Sequence, residues 1–506
     1  MRWLIKIVDE IIARYPAGEI LIESGGSPSG THHLGHLREL VTADAILLEL
    51  GRRGRKARHI YFVDDLDGLR KIPTNVPANF KKYLGRSLYD IPSPDFSDIS
   101  YADYFLQGLV NACSTLRIEV EFIRSHHKYQ TGFFVSAIEK SLEQADKVRH
   151  VLETVSGHSL GLEWSPIQIN EEGYLKKRRF LAINTDAKTV DYEDRDGKQK
   201  SINYANGDVK LDWRIDWPAR WQLLGVHVEP FGRDHGSSGG SYDTGAALSK
   251  DVFENTPPYP VPYDFVNMAG DTKKMSASKG TGLDAEGVIK VLPPEIVRFF
   301  MLRYPPEKRL YFDPLHVAQL IDDFTELLTK SPETALIAFS KTTLDPTISK
   351  IPFSHMVESY QASLKNPEST LLTLSRTGYQ KIVNQNKQII LDELKYIEAW
   401  LQKWAPEEIK FELIDDVDTA SFSQEERSYL NKLSLKIEEA SEDSNGEWFH
   451  KAIYELKDFS GLEPKQLFTA IYKATIGKES GPRAGWFLSI LPRDWLIKRL
   501  KFEDQL

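Results

Sequence analysis

Apolar residues recur at helical spacing from Leu4 to Ile12, and Pro16 and Gly18 end the pattern, which predicts an amphipathic helix over residues 3–14. Glu19-Ile20-Leu21-Ile22-Glu23-Ser24 is a short apolar run that predicts a strand, opening into a Gly-, Ser- and Pro-rich loop over residues 24–31. Residues 34–50 carry Leu37, Leu40, Val41, Ala45, Leu47 and Leu48 at helical spacing and stop at Gly51. Arg58-His59-Ile60-Tyr61-Phe62-Val63 is a second strand, closed by Asp64-Asp65. Strand, glycine loop, helix and strand in that order are the opening of a parallel α/β sheet.

Residues 101–116 and 130–155 read as helices, with Ile118-Glu119-Val120-Glu121-Phe122-Ile123 as a strand between them. Over residues 165–210 the helical periodicity fades into short alternating stretches, with turns at Glu171-Glu172-Gly173, Asp196-Gly197 and Asn206-Gly207-Asp208, which predicts a small β-rich insertion. Sheet material resumes at Val226-His227-Val228-Glu229-Pro230-Phe231. From about residue 315 onward only helical patterns follow, punctuated by Pro332, Pro346, Pro352, Pro406 and Pro464. The expected fold class is therefore α/β: a Rossmann-type parallel sheet with a small β-rich insertion, then an all-α C-terminal domain. The expected boundaries are 1–125 and 213–262 for the two halves of the sheet domain and 126–212 for the insertion, helical and then β-rich. A connecting region over 263–330 carries a basic loop, and the helical domain occupies 331–506.

Composition narrows the class without naming it. The chain is 41% hydrophobic and 27% charged, as ordinary globular proteins are. No apolar run approaches the ~20 residues that span a bilayer, and Asp9-Glu10 interrupts the N-terminal helix before a signal core could form. The single cysteine, Cys113, excludes a disulfide within the chain and leaves little for a cysteine-based zinc site. A reducing, cytoplasmic setting is expected, with no membrane partner. The net charge of −9 argues at first against nucleic acid, but phosphate binding follows local basic surfaces rather than the sum. Three are visible: Arg52 to Arg58, the run Lys176-Lys177-Arg178-Arg179, and the tail from residue 465 onward, with eight basic residues against four acidic. Each also fits a plain solvated face.

Two stretches carry candidate chemistry. Gly25-Gly26-Ser27-Pro28-Ser29-Gly30 followed by His33-Leu34-Gly35-His36 sits where a strand hands over to a helix. Glycines let the backbone approach a ligand, and unpaired amides at a helix N-terminus favour phosphate. His33 and His36, three apart, point the same way and can donate to a phosphate as charge develops. Gly35 leaves room for a flat ring to stack on the helix. Alone, this stretch equally fits a capped helix with surface histidines. About 240 residues downstream, Asp271-Thr272-Lys273-Lys274-Met275-Ser276-Ala277-Ser278-Lys279-Gly280 supplies ammoniums and hydroxyls suited to a triphosphate. A lysine-rich loop by itself is common, but both motifs in this order around an α/β core are a much stronger signal.

In these two motifs the chain resembles the class I aminoacyl-tRNA synthetases, whose signatures are known as HIGH and KMSKS. Further segments resemble the class I lysyl-tRNA synthetases: Asp64-Asp65-Leu66-Asp67-Gly68-Leu69-Arg70-Lys71-Ile72-Pro73, Trp213-Arg214-Ile215-Asp216-Trp217-Pro218-Ala219-Arg220-Trp221, and Gly232-Arg233-Asp234-His235 with Gly240-Ser241-Tyr242-Asp243. The tail segment Gly477-Lys478-Glu479-Ser480-Gly481-Pro482-Arg483 is similar to one in glutamyl-tRNA synthetases. The resemblance covers nearly the whole chain. It implies a ligase that joins lysine to tRNA(Lys) at the expense of ATP, with Mg²⁺, and a C-terminal domain that binds the anticodon. It makes His33, His36, Lys274 and Lys279 catalytic, and Ser29, Thr31, Gly35, Met275, Ser276 and Ser278 ATP-binding. Gly25, Ser27, Trp213 and His235 would line the amino-acid pocket. Independently, a lysine ε-ammonium needs a carboxylate, because a buried unpaired charge is very costly. Asp65 and Asp67 are the candidates, although helix capping or turn formation accounts for them equally. Asp234-His235 also fits a core histidine with its carboxylate, and the tryptophans also fit a core.

Two departures qualify the resemblance. Ala277 stands where the signature has a lysine, so Lys279 or Lys273 would have to serve the transition state. The cysteine pairs common in the lysine family's insertion are absent around Ile167-Gln168-Ile169-Asn170-Glu171-Glu172-Gly173, so no structural zinc and no other resident metal is expected. A glutamate enzyme would need an arginine near Ile22-Glu23-Ser24-Gly25-Gly26, where none occurs. A small-molecule nucleotidyltransferase would rarely carry so large a helical domain, and a tRNA-binding paralogue without catalysis would not need both histidines. A monomer is expected.

Overall fold

The amphipathic N-terminal segment forms α1 (Arg2–Arg14) and buries Leu4, Ile7, Val8 and Ile11. It leads into β1 (Ile20–Gly26), α2 (Leu34–Arg52) and β2 (Ala57–Val63), the order the hydrophobic pattern predicts. The computed structural model describes residues 1–161, 164–270, 283–343, 347–441 and 444–503. The chain divides into two units: Met1–Ile289 with Val297–Phe312 and Ala338–Thr342, and Lys290–Ile296 with Asp313–Ile337 and Thr343–Leu506.

In the first unit, α3 (Tyr101–Thr115) and β3 (Glu121–Arg124) follow. The predicted helix over 130–155 is two helices, α5 (Val135–Glu143) and α6 (Ala145–Ser156), which follow the short α4 (Ser125–Gln130). Gly132 at φ +74° breaks the first junction, and Gln144 leaves helical geometry at the second. The insertion comprises β4 (Ile167–Glu171), β5 (Tyr174–Lys177), β6 (Arg179–Asn184), β7 (Thr189–Glu193), β8 (Gln199–Asn203) and β9 (Val209–Leu211). These form two antiparallel three-stranded sheets, ordered β5-β4-β9 and β6-β7-β8. Glu172 and Gly173, both at positive φ, make the two-residue turn between β4 and β5. Ile167, Ile169, Val190, Tyr192, Val209 and Leu211 are buried in one cluster with Phe134 and Leu152.

After the insertion come α7 (Trp213–Leu224), β10 (Val228–Gly232), α8 (Ser241–Asp251), β11 (Tyr259–Tyr263) and β12 (Val266–Met268), which pairs with β13 (Leu310–Phe312). The main sheet has the order β11-β10-β1-β2-β3, and every pairing is parallel. The chain runs from β1 outward to β3 and returns on the other side of β1, so strand order reverses between β1 and β10. In open parallel sheets the crevice beyond the carboxyl ends of two such strands is where ligands bind. Gly25 and Gly26 end β1 there, and Gly232 ends β10.

The second unit holds helices, among them Val317–Lys330, Gln380–Lys403, Gln424–Glu438 and Pro464–Ile476. Leu430, Leu433, Leu467, Ile471, Phe487 and Leu496 are buried in its core. Ser423 and Glu426 form a capping box that starts the helix Gln424–Glu438. Among the described residues no helix is long and apolar enough to cross a membrane.

The helix that carries the two histidines is anchored by charge as well as by packing. Asp44 on α2 meets Arg298 at 2.6 Å, with side chains 2% and 1% exposed, and Arg298 also donates to the carbonyls of Phe339 and Leu116. Removing one member of a buried pair strands the other charge. Asp44→Ala is therefore expected to lower the unfolding free energy by about 3–5 kcal/mol in urea titrations followed by tryptophan fluorescence. A loss below ~1 kcal/mol, the range of an exposed pair, would contradict this anchoring role.

Candidate active site

The first turn of α2 fixes both histidines through their own backbone. His33 is the N-cap, and its Nδ1 accepts from the Gly35 N–H at 3.1 Å. The Nδ1 of His36 accepts from the His33 N–H at 3.0 Å, completing a reciprocal cap. An imidazole accepting at Nδ1 carries its proton on Nε2 when neutral, so each neutral ring bears its N–H on Nε2. The two rings lie 4.0 Å apart. A Cβ on Gly35 would stand 2.9 Å from the His33 ring, so glycine is what lets that ring fold back over the turn. His32, the third histidine of the run, is buried and donates from Nδ1 to the Phe105 carbonyl; burial pushes its pKa down to about 4.

Both histidines open onto a cavity of about 370 Å³ at the strand-order reversal. Gly25, Ser27 and Gly35 line it from β1 and α2, Trp213 and Trp217 from α7, and His235 from the loop after β10. The ring of His235 meets Trp213 and Trp217 edge-on, each at 5.7 Å. Trp221 is fully buried. Glu229 on β10 accepts from the Trp217 indole at 2.9 Å and the Trp221 indole at 3.0 Å, which fixes the tryptophan face of α7.

The wall is strongly acidic. Six carboxylates line the cavity (Glu23, Glu39, Asp64, Asp67, Glu229 and Asp234) against two guanidiniums, Arg70 and Arg220. Arg220 reaches Glu23 at 3.5 Å, Asp64 at 3.3 Å and Asp216 at 3.1 Å. Asp67 faces Lys210 at 3.1 Å and Arg70 at 3.5 Å. Glu39 is held by neutral donors instead: the Gly25 N–H at 3.0 Å and the Tyr263 hydroxyl at 2.5 Å. Burial pushes the Glu39 carboxyl up to about 7 despite those hydrogen bonds. Burial likewise pushes Glu23 up to about 8, against the pull of Arg220. Among the described residues, a wall with three buried carboxylates (Glu23, Glu39 and Glu229) and two guanidiniums is suited to receive a cation.

The sequence-based candidates are thus partly brought together. His33, Gly35, His36, Gly25, Ser27, Asp67, Trp213 and His235 share the cavity. Asp65 does not reach its wall. Its carboxylate, fully buried, accepts from Arg124, Ser125 and His126 at 2.5, 2.9 and 2.6 Å. Burial opposes its charge, but the His126 hydrogen bond and the neighbouring His126 and Arg124 charges outweigh it and hold its pKa low. Asp65 therefore fastens the β2 loop to α4. Ser29 and Thr31 also lie off the wall: the Ser29 carbonyl accepts from Tyr101, and the Thr31 hydroxyl accepts from Asn75 at 3.0 Å. Lys274, Met275, Ser276, Ser278 and Lys279 lie outside the described residues. Sequence reasoning passed over Glu23, Glu39, Arg220 and Tyr263. The one available signal was Arg38-Glu39 interrupting the apolar run Leu37, Leu40, Val41.

The family model for tRNA synthetases class I (K) matches residues 1–344. The chain belongs to the class I tRNA synthetases. It is 35% identical over 505 residues to a lysine–tRNA ligase of Archaeoglobus fulgidus, covering 99% of each chain. A lysine–tRNA ligase of Methanosarcina barkeri is 33% identical over 530 residues, covering 99% of this chain and 97% of the relative. One from Thermoplasma volcanium is 31% identical over 509 residues, covering 99% of both. The synthetase family implies use of ATP, and a parallel sheet with helix-end histidines at its reversal is a frame suited to a nucleotide.

The Gly35–His33 packing yields a direct test. Gly35→Ala is expected to displace the His33 ring and lower the ATP–pyrophosphate exchange rate of this synthetase at least tenfold with unchanged circular dichroism. A rate within twofold of the parent would show that the ring's position does not matter.

Proposed function

We propose that this synthetase joins lysine to tRNA(Lys), and that Glu39 is the carboxylate that holds the substrate ε-ammonium. The carrying observation is that, among the described residues, carboxylates outnumber cations on the cavity wall and the hydrogen bonds to Glu39 come from neutral donors. Glu23 and Asp64 share Arg220, Asp67 has Lys210 and Arg70, and Glu229 has both oxygens engaged by indoles. Asp234 stands on the exposed rim. Trp213 and Trp217 would flank the methylene chain. Glutamate, with its side-chain carboxylate, would meet repulsion here.

The lysine carboxylate attacks the α-phosphorus of ATP, and pyrophosphate leaves. The terminal ribose 2′-hydroxyl of the tRNA then attacks the adenylate carbonyl, releasing AMP. No protein nucleophile takes part, so catalysis rests on positioning and on donors aimed at developing charge. The Nε2–H groups of His33 and His36 are those donors; the Lys274 and Lys279 loop would supply cations to the same phosphates. Mg²⁺ would travel with the nucleotide, neutralising phosphate oxygens. The insertion is held without zinc, the enzyme is cytoplasmic and monomeric, and stoichiometric zinc in purified protein would contradict the first of these.

The helical domain is the candidate reader of the anticodon. Of the three basic tail residues that stand out, Lys478 is bound to the carbonyls of Glu407 and Lys410, and Arg483 lies beside Glu358. Arg493 donates to the carbonyls of Ala440 and Ser441, Arg376 to those of Ile490 and Leu491, and both line a cavity of about 580 Å³ with Tyr379 and Trp486. Aromatic faces beside guanidiniums suit an unstacked base and its phosphate.

Four outcomes follow. Among all amino acids, lysine alone should drive ATP–pyrophosphate exchange, assayed with and without tRNA; exchange with another amino acid, or with none, defeats the assignment. Glu39→Gln should raise the lysine KM about a hundredfold, the loss of a charge-assisted pair at roughly 3 kcal/mol, with the ATP KM within threefold. Because burial raises Glu39 to about 7, kcat/KM for lysine should plateau above that pH and fall below it as the carboxylate protonates; a flat profile from pH 6 to 8 contradicts the role. Finally, Arg376→Ala with Arg493→Ala should raise the tRNA KM about tenfold, the scale of one stacked or charged contact, and leave the lysine KM unchanged.

A further inference from the structure

The wall carboxylates are kept in order by a lysine that belongs to the protein. Lys210 lies on β9, the last strand of the insertion, and its side chain is 1% exposed. Its ammonium stands 3.1 Å from Asp67 and 3.3 Å from Asp216, and 5.8 Å from the centre of the Tyr129 ring. Tyr129 donates to the same Asp216 oxygen at 2.6 Å. The other Asp216 oxygen faces Arg220, the guanidinium that serves Glu23 and Asp64.

Lys210 is therefore an alkylammonium seated on carboxylates beside a cavity that, on the reading above, takes an alkylammonium. We infer that Lys210 is a specificity-determining residue: it fills a second ammonium seat, formed by Asp67 and Asp216, so that the substrate finds only one. The argument rests on lysine being the substrate. With Lys210 in place, Asp67 and Asp216 are neutralised, Arg220 stays with Glu23 and Asp64, and Glu39 is the wall carboxylate left for the ligand. Without it, Asp67 keeps only Arg70 at 3.5 Å and Asp216 only the Arg220 it shares with Glu23 and Asp64, so a free ammonium is drawn to them. A substrate seated there has its carboxylate out of line with the helix-end histidines. Binding in the wrong seat lowers kcat and KM together, whereas loss of a plain substrate contact raises KM. Burial opposes the charge on Lys210, but the Asp216, Asp67 and Asp64 carboxylates outweigh it and raise its pKa, so the seat is occupied by a cation at all working pH values.

The test is chemical rescue of Lys210→Ala, whose missing atoms amount to n-propylammonium. Lysine-dependent exchange should fall at least tenfold in kcat, with KM falling alongside it. Millimolar n-propylammonium should restore kcat at least fivefold, n-propanol should not, and the parent enzyme should gain nothing. n-Propylammonium should also raise the melting temperature of Lys210→Ala and not of the parent, a readout that needs no substrate and so separates failure here from failure of the lysine assignment. A kcat within threefold of the parent, or a loss that n-propylammonium leaves unrelieved, overturns the inference. If Lys210→Ala does not accumulate folded, Lys210→Arg and Lys210→Met take its place. Retained kcat in the arginine variant with a tenfold loss in the methionine variant supports the role; equal activity in the two overturns it.

Discussion

A carboxylate buried without a cation is expensive, and the first unit of this protein concentrates several around one cavity. Glu23, Glu39 and Glu229 are each at most 9% exposed, and burial raises the pKa of all three. Packing alone does not favour such an arrangement, since apolar residues of similar volume would be more stable. The arrangement makes sense when its missing charge arrives with the ligand. The rest of the site follows from holding that negative wall open: two indoles tie down Glu229, Arg220 is shared among Glu23, Asp64 and Asp216, and Lys210 occupies the seat between Asp67 and Asp216.

Helix α2 joins the two ends of the chemistry. Its first turn carries His33 and His36, whose caps leave Nε2 to donate, and Glu39 lies three residues further on. Three residues advance a helix by about 4.5 Å, so the two histidines and Glu39 belong to one rigid element. The Asp44–Arg298 pair fastens the same helix farther along. The β-rich insertion has a stake in the site as well, because its last strand contributes Lys210.

Much of this was legible in the primary structure. The period-3.6 helices, the short apolar strands and the glycine loop marked the parallel sheet, and the histidine turn marked its crevice. The limits are equally physical. Asp65 and Asp67 are two residues apart and looked equivalent, yet one turns inward to Arg124 and His126 while the other faces the cavity. Only the fold decides which partners a carboxylate meets. The tryptophan-rich segment read as pocket or core, and it is both: Trp213 and Trp217 on the wall, Trp221 behind it. Glu39 escaped notice because a charged residue on the apolar side of a helix has no local partner to reveal it; Gly25 and Tyr263 come from distant parts of the chain. The helix predicted over 130–155 gave way to α5 and α6 beyond the end of α4, because Gly132 and Gln144 adopt conformations that their neighbours alone do not announce.

The central claim is that the incoming ammonium supplies the charge the wall lacks. Calorimetric titration of the synthetase with lysine at pH 7, in buffers of differing ionisation enthalpy, reads it most directly. Glu39, which burial raises to about 7, should ionise as the ammonium docks, so binding should release protons to the buffer. Norleucine, of similar length but without the ε-ammonium, should release none and bind far more weakly. Lysine binding with no proton release, or norleucine binding as tightly as lysine, would contradict the account.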